Sequence, residues 1–159
     1  MAFCPTSGRQ FNKLDALKQT ISILVRPAQE RDFAAISRIQ YRCPETAQWP
    51  LGDYSGYPLL LALVENQPAG FCSWRQSAAD EAEILNIAVD PDYRRRGIGA
   101  ALLDAVCEAA QGAIFLEVAE TNAPAIALYR TQGWVDAGVR QGYYFQGTVN
   151  AVVMKKRSW

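Results

Sequence analysis

The segment Asp90-Pro91-Asp92-Tyr93-Arg94-Arg95-Arg96-Gly97-Ile98-Gly99 holds the residue types that a phosphate-binding turn requires. It follows an apolar run, Ile84-Leu85-Asn86-Ile87-Ala88-Val89, and opens an amphipathic helix that begins near Ile98. At a helix start, unpaired backbone N–H groups and the positive end of the helix dipole face an incoming anion. Gly97 and Gly99 let the main chain approach a ligand without a clashing Cβ, and Arg94, Arg95 and Arg96 add positive charge. The expectation is a phosphorylated ligand, with a basic helix cap and tight turn as the plain structural alternative. A dinucleotide fingerprint fits less well, although Glu117 lies about 20 residues downstream as it would require. Leu102 stands where that motif needs a small residue, and the arginines separate the glycines from the strand. A Walker-type loop is excluded because no Gly-Lys-Ser/Thr follows.

Glu117 interrupts Ala113-Ile114-Phe115-Leu116-Glu117-Val118-Ala119, which is otherwise apolar on both faces. A carboxylate there is costly unless paired or hydrated. It reads either as a proton acceptor, or as a member of a structural ion pair or a strand-end residue reaching water. Tyr129, on the helix from Asn122 to Gln132, is either core with its hydroxyl on a carbonyl or a proton donor. Glu83, in the strand before the arginines, is either a rival base or a residue facing solvent at the strand's start. The chain contains no histidine, which excludes Ser-His and Cys-His pairs and the usual zinc hydrolase sites. Acid–base chemistry must come from carboxylates, tyrosines, lysines or water.

These residues have to be held by a small domain. A chain of 159 residues, half apolar and a fifth charged, suits a single globular unit. Sixteen acidic residues balance sixteen basic ones, which argues against a nucleic-acid partner. Cys4, Cys43, Cys72 and Cys107 are scattered with no C-x-x-C pair, so neither a disulfide framework nor a metal site is expected, and reduced thiols suit the cytoplasm. The longest apolar run, Leu59 to Val64, is far shorter than the ~20 residues of a membrane helix, so no membrane association is expected.

Residues 1–20 read as an N-terminal extension, and 21–159 as the domain. A strand is expected over 21–25, then a helix over 30–42 that buries Phe33, Ile36 and Ile39. Residues 43–58, rich in proline and aromatic residues, read as a loop with one helical turn. Strands over 59–65 and 69–75 form a hairpin across Asn66-Gln67-Pro68, and another strand covers 83–89. The helix after the glycines places Ile98, Ala101, Leu102, Ala105, Val106 and Ala109 on one face, and Gly112 stops it. A strand over 113–119, a helix capped by Asn122 and ended by Gly133, and a strand over 149–154 complete the pattern. The class is α/β or α+β, a mixed central sheet flanked by helices.

Together these residues resemble the GNAT superfamily of acetyl-CoA-dependent N-acyltransferases. The likeness runs from about Ile21 to Lys155 and centres on Asn86 to Gly99. It continues through Leu116-Glu117-Val118 and Asn122-Ala123-Pro124-Ala125-Ile126-Ala127-Leu128-Tyr129 to Gly133-Trp134. Within it, the bacterial ribosomal-protein-alanine N-acetyltransferases (RimI-like) are most similar, and Tyr143-Tyr144 and Ala151-Val152-Val153-Met154 fit that subgroup.

The resemblance implies a GNAT-type acyl-CoA N-acyltransferase fold with acetyl-CoA as co-substrate and no metal. Backbone groups of Ile87, Ala88 and Val89 would pair with the pantetheine arm. The turn Arg94, Arg95, Arg96, Gly97, Ile98, Gly99 and Ala100 would hold the pyrophosphate, and Asn122 would bond the cofactor farther along. Glu117 matches the family's proton acceptor and Tyr129 its proton donor. The implied acceptor is a peptide or protein N-terminus, foremost the alanine of a ribosomal protein. Another amine (a different peptide, a polyamine or an antibiotic) and a non-catalytic CoA-binding module are the alternatives. Trp49, Tyr54, Tyr143 and Tyr144 are candidates for an acceptor groove, with ordinary packing as the other reading. Residues 43–57 and 145–150 depart from the family pattern, the latter lacking its acidic residues.

Overall fold

A computed structural model describes residues 21–157; the expected extension over 1–20 lies outside them. The strands are β1 (Ile23–Pro27), β2 (Leu59–Val64), β3 (Gln67–Ala78), β4 (Glu81–Val89), β5 (Ala113–Ala119), β6 (Val135–Tyr144) and β7 (Val149–Arg157). The helices are α1 (Phe33–Tyr41), α2 (Ile98–Ala109) and α3 (Ala123–Thr131), with 3-10 turns at Glu30–Asp32, Leu51–Gly56, Pro91–Tyr93 and Phe145–Gly147. One sheet has the order β1-β2-β3-β4-β5-β7-β6. Its strand pairs are antiparallel except β4–β5, which are parallel because α2 carries the chain back between them.

Alternation along the strands builds a core on each face. On one, Leu102, Leu103 and Val106 of α2 meet Cys72, Trp74, Ile84, Ile114, Leu116 and Met154, with Tyr129 and Trp134 at one end. On the other, Ile36 and Ile39 of α1 pack with Tyr54, Leu61, Phe71 and Ala88. Gly70 is required where the first core is tightest, since a Cβ there would lie 2.8 Å from Ala88 O.

The expected elements appear with shifted ends. The first strand begins at Ile23 and ends on Pro27, at the sheet edge where a missing N–H is tolerated. The hairpin closes through the two-residue turn Glu65-Asn66, both at positive φ, so Gln67 and Pro68 belong to β3. The buried face of α2 is Ile98, Gly99, Leu102, Leu103, Val106 and Cys107, which leaves Ala109 exposed. The stripe is rotated toward Leu103 and Cys107 because α2 packs on the sheet through its larger side chains. Strand β6 was not expected. Every residue from Val135 to Tyr143 is exposed, so no apolar alternation marks it.

Candidate active site

Strands β4 and β5 pair only at Glu81–Ala113, Ala82–Ile114 and Glu83–Phe115, and beyond these they diverge. The register supplies a reason. Ser73 opposes Asn86 while Trp74 opposes Ile84, so Leu85 is an extra residue, a bulge that bends the strand. It also exchanges the faces. Ile84 belongs to the core under α2, whereas Asn86 and Ala88 turn toward α1 and Ile87 and Val89 take the α2 side. Asp90 N–H donates to Ala69 O of β3 at 2.8 Å. Alternation therefore directs the N–H and C=O groups of Ile87 and Val89 to the opposite edge, which β5 has left open.

The open edge borders a cavity of about 660 Å³ between β4, the start of α2 and α3. Ile87, Ala88, Val89, Arg94, Arg95, Gly97, Ile98, Gly99, Ala100, Asn122 and Tyr129 all line it. Of the expected cofactor-binding residues, Arg96 alone is absent from the lining, because its guanidinium lies over the Tyr93 ring, 5.4 Å from the centroid.

The turn leading to α2 is built for backbone donors. Arg95 and Gly97 have φ of 63° and 83°, and Gly97 is the N-cap, without a side chain to satisfy the first N–H groups. The first helical bond runs from Ala101 N–H to Gly97 O, so the N–H groups of Ile98, Gly99 and Ala100 precede the ladder. A Cβ on Gly99 would lie 2.8 Å from Leu128 Cδ2, so this glycine also lets α3 close the cavity wall. Upstream, the buried Asp90 carboxylate accepts from Asp92 N–H and from Arg42 Nη1 at 2.8 Å, which ties the turn to the end of α1.

Arg94 folds back instead of pointing outward. It pairs with Glu45 and donates from Nε to Val89 O at 3.1 Å and from Nη2 to Cys43 Sγ at 3.4 Å. Burial pushes the Cys43 thiol up from its ordinary pKa. Asn122 caps α3, its Oδ1 accepting from Ala125 N–H at 3.3 Å.

Glu117 and Tyr129 flank the fork from opposite faces. Leu116 and Val118 of β5 enter the core under α2, so Glu117 between them points to the other side, two residues past the last β4–β5 pair. Its carboxylate accepts from Arg140 Nη1 at 2.6 Å. Tyr144 donates to Glu117 O at 3.3 Å, and burial pushes its hydroxyl up to about 12. Tyr143 packs edge-on against Tyr144 at 5.0 Å, and burial and then the charge of Glu117 raise its pKa. Tyr129 is buried on the α2 side, and desolvation holds its phenol far above the ordinary value.

The rival base Glu83 is on the same face as Glu117 and is held by Arg75, from Nε at 3.0 Å and from Nη2 at 2.6 Å. Tyr54 is packing: it is buried, donates to Gln40 Oε1 and accepts from Asn86 Nδ2 at 2.7 Å. Trp49 stacks on it, ring centroids 5.3 Å apart. Cys43, Cys72 and Cys107 are free, and no group of potential metal ligands occurs among the described residues. No described helix is long and apolar enough to cross a membrane.

Three features of this site carry no mark in the sequence. Arg140 lies on the strand that was not expected. Glu45, which lines the cavity with Thr46, comes from a loop with no periodicity to place it. The Leu85 bulge has no residue signature, although Asn86 in an apolar run hints that the faces exchange there.

The chain matches the acetyltransferase (GNAT) family over residues 22–134. It is 39% identical over 98 residues to the ribosomal protein bS18-alanine N-acetyltransferase of Escherichia coli, covering 58% of this chain and 66% of that relative, just under two thirds of its length. The enzyme of the same name from Salmonella typhimurium is 35% identical over 144 residues, covering 85% of this chain and 95% of the relative. The crystal structure of the E. coli enzyme superposes with a TM-score of 0.73 at 30% identity, covering 86% of this chain and 94% of that one. On the family match and the likeness across nearly all of the Salmonella relative, this chain belongs to the acetyltransferase (GNAT) family.

Proposed function

We propose that this protein transfers acetyl from acetyl-CoA to the α-amine of a peptide or protein, foremost the N-terminal alanine of a ribosomal protein, in the cytoplasm. The observation that carries the reading is the fork: a strand edge at Ile87 and Val89 that no second strand pairs, with Val89 O held by Arg94 Nε, leading directly to the uncapped N-terminus of α2. An elongated ligand with amide groups and a diphosphate fits such an edge and end. The pantetheine arm of acetyl-CoA lies along β4 as an added strand, on the main chain from Ile87 to Val89. The N–H groups from Arg95 to Ala100 hold the diphosphate, Arg95 supplies positive charge at the lining while Arg94 is paired with Glu45 and Arg96 lies over Tyr93, and Asn122 binds farther along.

The two acid–base residues stand on opposite sides of that line. The acceptor approaches from the face of Glu117, which takes the ammonium proton directly or through water. The free amine attacks the thioester carbonyl, a C–N bond forms, and the C–S bond breaks. A main-chain N–H near Val89 stabilises the oxyanion, a donor of the kind whose loss costs ~100-fold or more in rate. Tyr129, kept protonated by its burial, gives its proton to the departing thiolate, and the second proton that the nitrogen sheds as the amide forms restores the phenol.

The acceptor face favours a peptide over a polyamine. Glu83 and Glu117 are each matched by an arginine, so they leave no unpaired acidic cluster to draw a polycation. The test is intact-mass measurement of an Ala-initiated ribosomal-protein peptide after incubation with acetyl-CoA. A gain of one acetyl group at the α-amine is expected. No gain on that peptide, with gain on a polyamine, would replace the acceptor assignment.

A further inference from the structure

Arg140 belongs to β6, at the edge of the sheet, and stands opposite Ala151 of β7, which in turn stands opposite Ala119 of β5. Cross-strand partners share a face, so Arg140 is on the side of the sheet that carries Glu117. Its Nη1 lies 2.6 Å from Glu117 Oε1, and its guanidinium sits over the Tyr143 ring, 4.6 Å from the centroid. The two partners differ in exposure. The Arg140 side chain is 57% exposed, while that of Glu117 is 18% exposed. The carboxylate is anchored in a central strand, and the cation over it can swing into solvent without disturbing any backbone pair.

We propose that Arg140 is a stand-in cation, seated on Glu117 where the ammonium of the acceptor binds, so that acceptor binding exchanges one cation for another. This rests on the acetyl-transfer reading above and adds the part played by β6. Before the acceptor arrives, the guanidinium neutralises a partly buried carboxylate that would otherwise lack a counter-charge. The arriving ammonium displaces it. Once acylated, the acceptor is a neutral amide with no charge to hold Glu117; the carboxyl releases the proton it took to solvent, and Arg140 returns to the carboxylate. The enzyme thereby distinguishes amine substrate from amide product by charge, at a position that never touches the thioester. Arg140 is a positioning residue in this scheme, acting through Glu117.

The exchange makes the two peptides respond differently to loss of the guanidinium. Arg140→Gln removes the competitor for the ammonium. Exposed ion pairs are weak, so the KM of an Ala-initiated peptide should fall by about two- to five-fold. The inhibition constant of the same peptide with an acetylated N-terminus should stay at the wild-type value, because that ligand never displaces Arg140. Arg140→Lys, which retains a cation, should restore the wild-type ratio of the two constants. A role limited to holding β6 in place would move both constants together. The proposal is overturned if they move in parallel, if the amine KM is unchanged or rises in Arg140→Gln, or if Arg140→Lys behaves as Gln does. Wild-type protein that fails to acetylate the peptide at all would instead overturn the functional reading beneath it.

Discussion

Tyr129→Phe deletes one hydroxyl from the wall of the cavity and leaves the ring in place, 6.1 Å from Trp134. No hydrogen bond from that hydroxyl is seen among the described residues, and it is not one of their buried unpaired polar atoms, so its removal is expected to strand no partner. The expected change in stability is within about 0.5 kcal/mol, which for a domain of this size is a shift in Tm of about 2 °C at most. Turnover should respond very differently. A positioned general acid contributes at least about 100-fold, equivalent to roughly 2.7 kcal/mol of barrier. Burial keeps the phenol protonated across the neutral range, so the loss should be uniform there.

The assay has three parts: thermal unfolding, calorimetric affinity for acetyl-CoA, and initial rates with the Ala-initiated peptide. Tyr54→Phe is the matched contrast. Its hydroxyl is shared by Gln40 and Asn86, and both are buried, so its removal should cost about 1–3 kcal/mol. Tyr54→Phe should therefore lower Tm clearly, whereas Tyr129→Phe should lower turnover at unchanged Tm and acetyl-CoA affinity. Wild-type turnover in Tyr129→Phe would refute the assignment. A fall in Tm that accounts for the lost activity would refute the reasoning behind it.

Glu117→Gln keeps the size of the side chain but cannot accept the ammonium proton; turnover should fall about 100-fold or more with acetyl-CoA affinity nearly intact, checked by initial rates and calorimetry. Gly97→Ala meets no atom closer than 3.9 Å, so its cost is the left-handed conformation alone, about 1–2 kcal/mol and a fall in Tm of several degrees, with weakened acetyl-CoA binding. Asp32 is held below the ordinary carboxylate range by Arg26, against the opposing effect of burial, and by Gln29 N–H. A carboxylate depressed in the folded state adds stability above its unfolded pKa and loses it as pH falls through the lower folded value. Asp32→Asn should therefore be less stable than wild type at neutral pH, and the gap should close in strong acid, as followed by urea unfolding at several pH values.

Much of this site was legible before any fold was known, for identifiable reasons. The arginines and glycines from Arg94 to Gly99 carry a local signature, because a helix start that binds anions needs open backbone and small residues within one turn. Asn122 likewise announces a cap, and Glu117 announces itself by being charged within an apolar strand. That strand left two readings of Glu117 open, and the structure supplies the ion pair with Arg140. Arg140 could not be found because β6 is exposed from Val135 to Tyr143 and so has no periodicity to reveal it. The fork itself is a matter of register between β4 and β5, set by long-range pairing and one bulge, and no local pattern reports it. The rotated face of α2 has a similar origin. Ala101, Ala105 and Ala109 fit the helical period, but Leu103 and Cys107 bury more surface and win the contact with the sheet.

The divergence of β4 from β5, continued by the start of α2, is the proposed seat of acetyl-CoA. Titration of isotope-labelled protein with acetyl-CoA, followed by calorimetry and by backbone amide resonances, tests it most directly. Saturable binding of one molecule per chain is expected, with the largest shifts at the amides of Ile87, Val89 and Gly97 to Ala100. Absence of heat, or shifts confined to residues away from this edge, would contradict it.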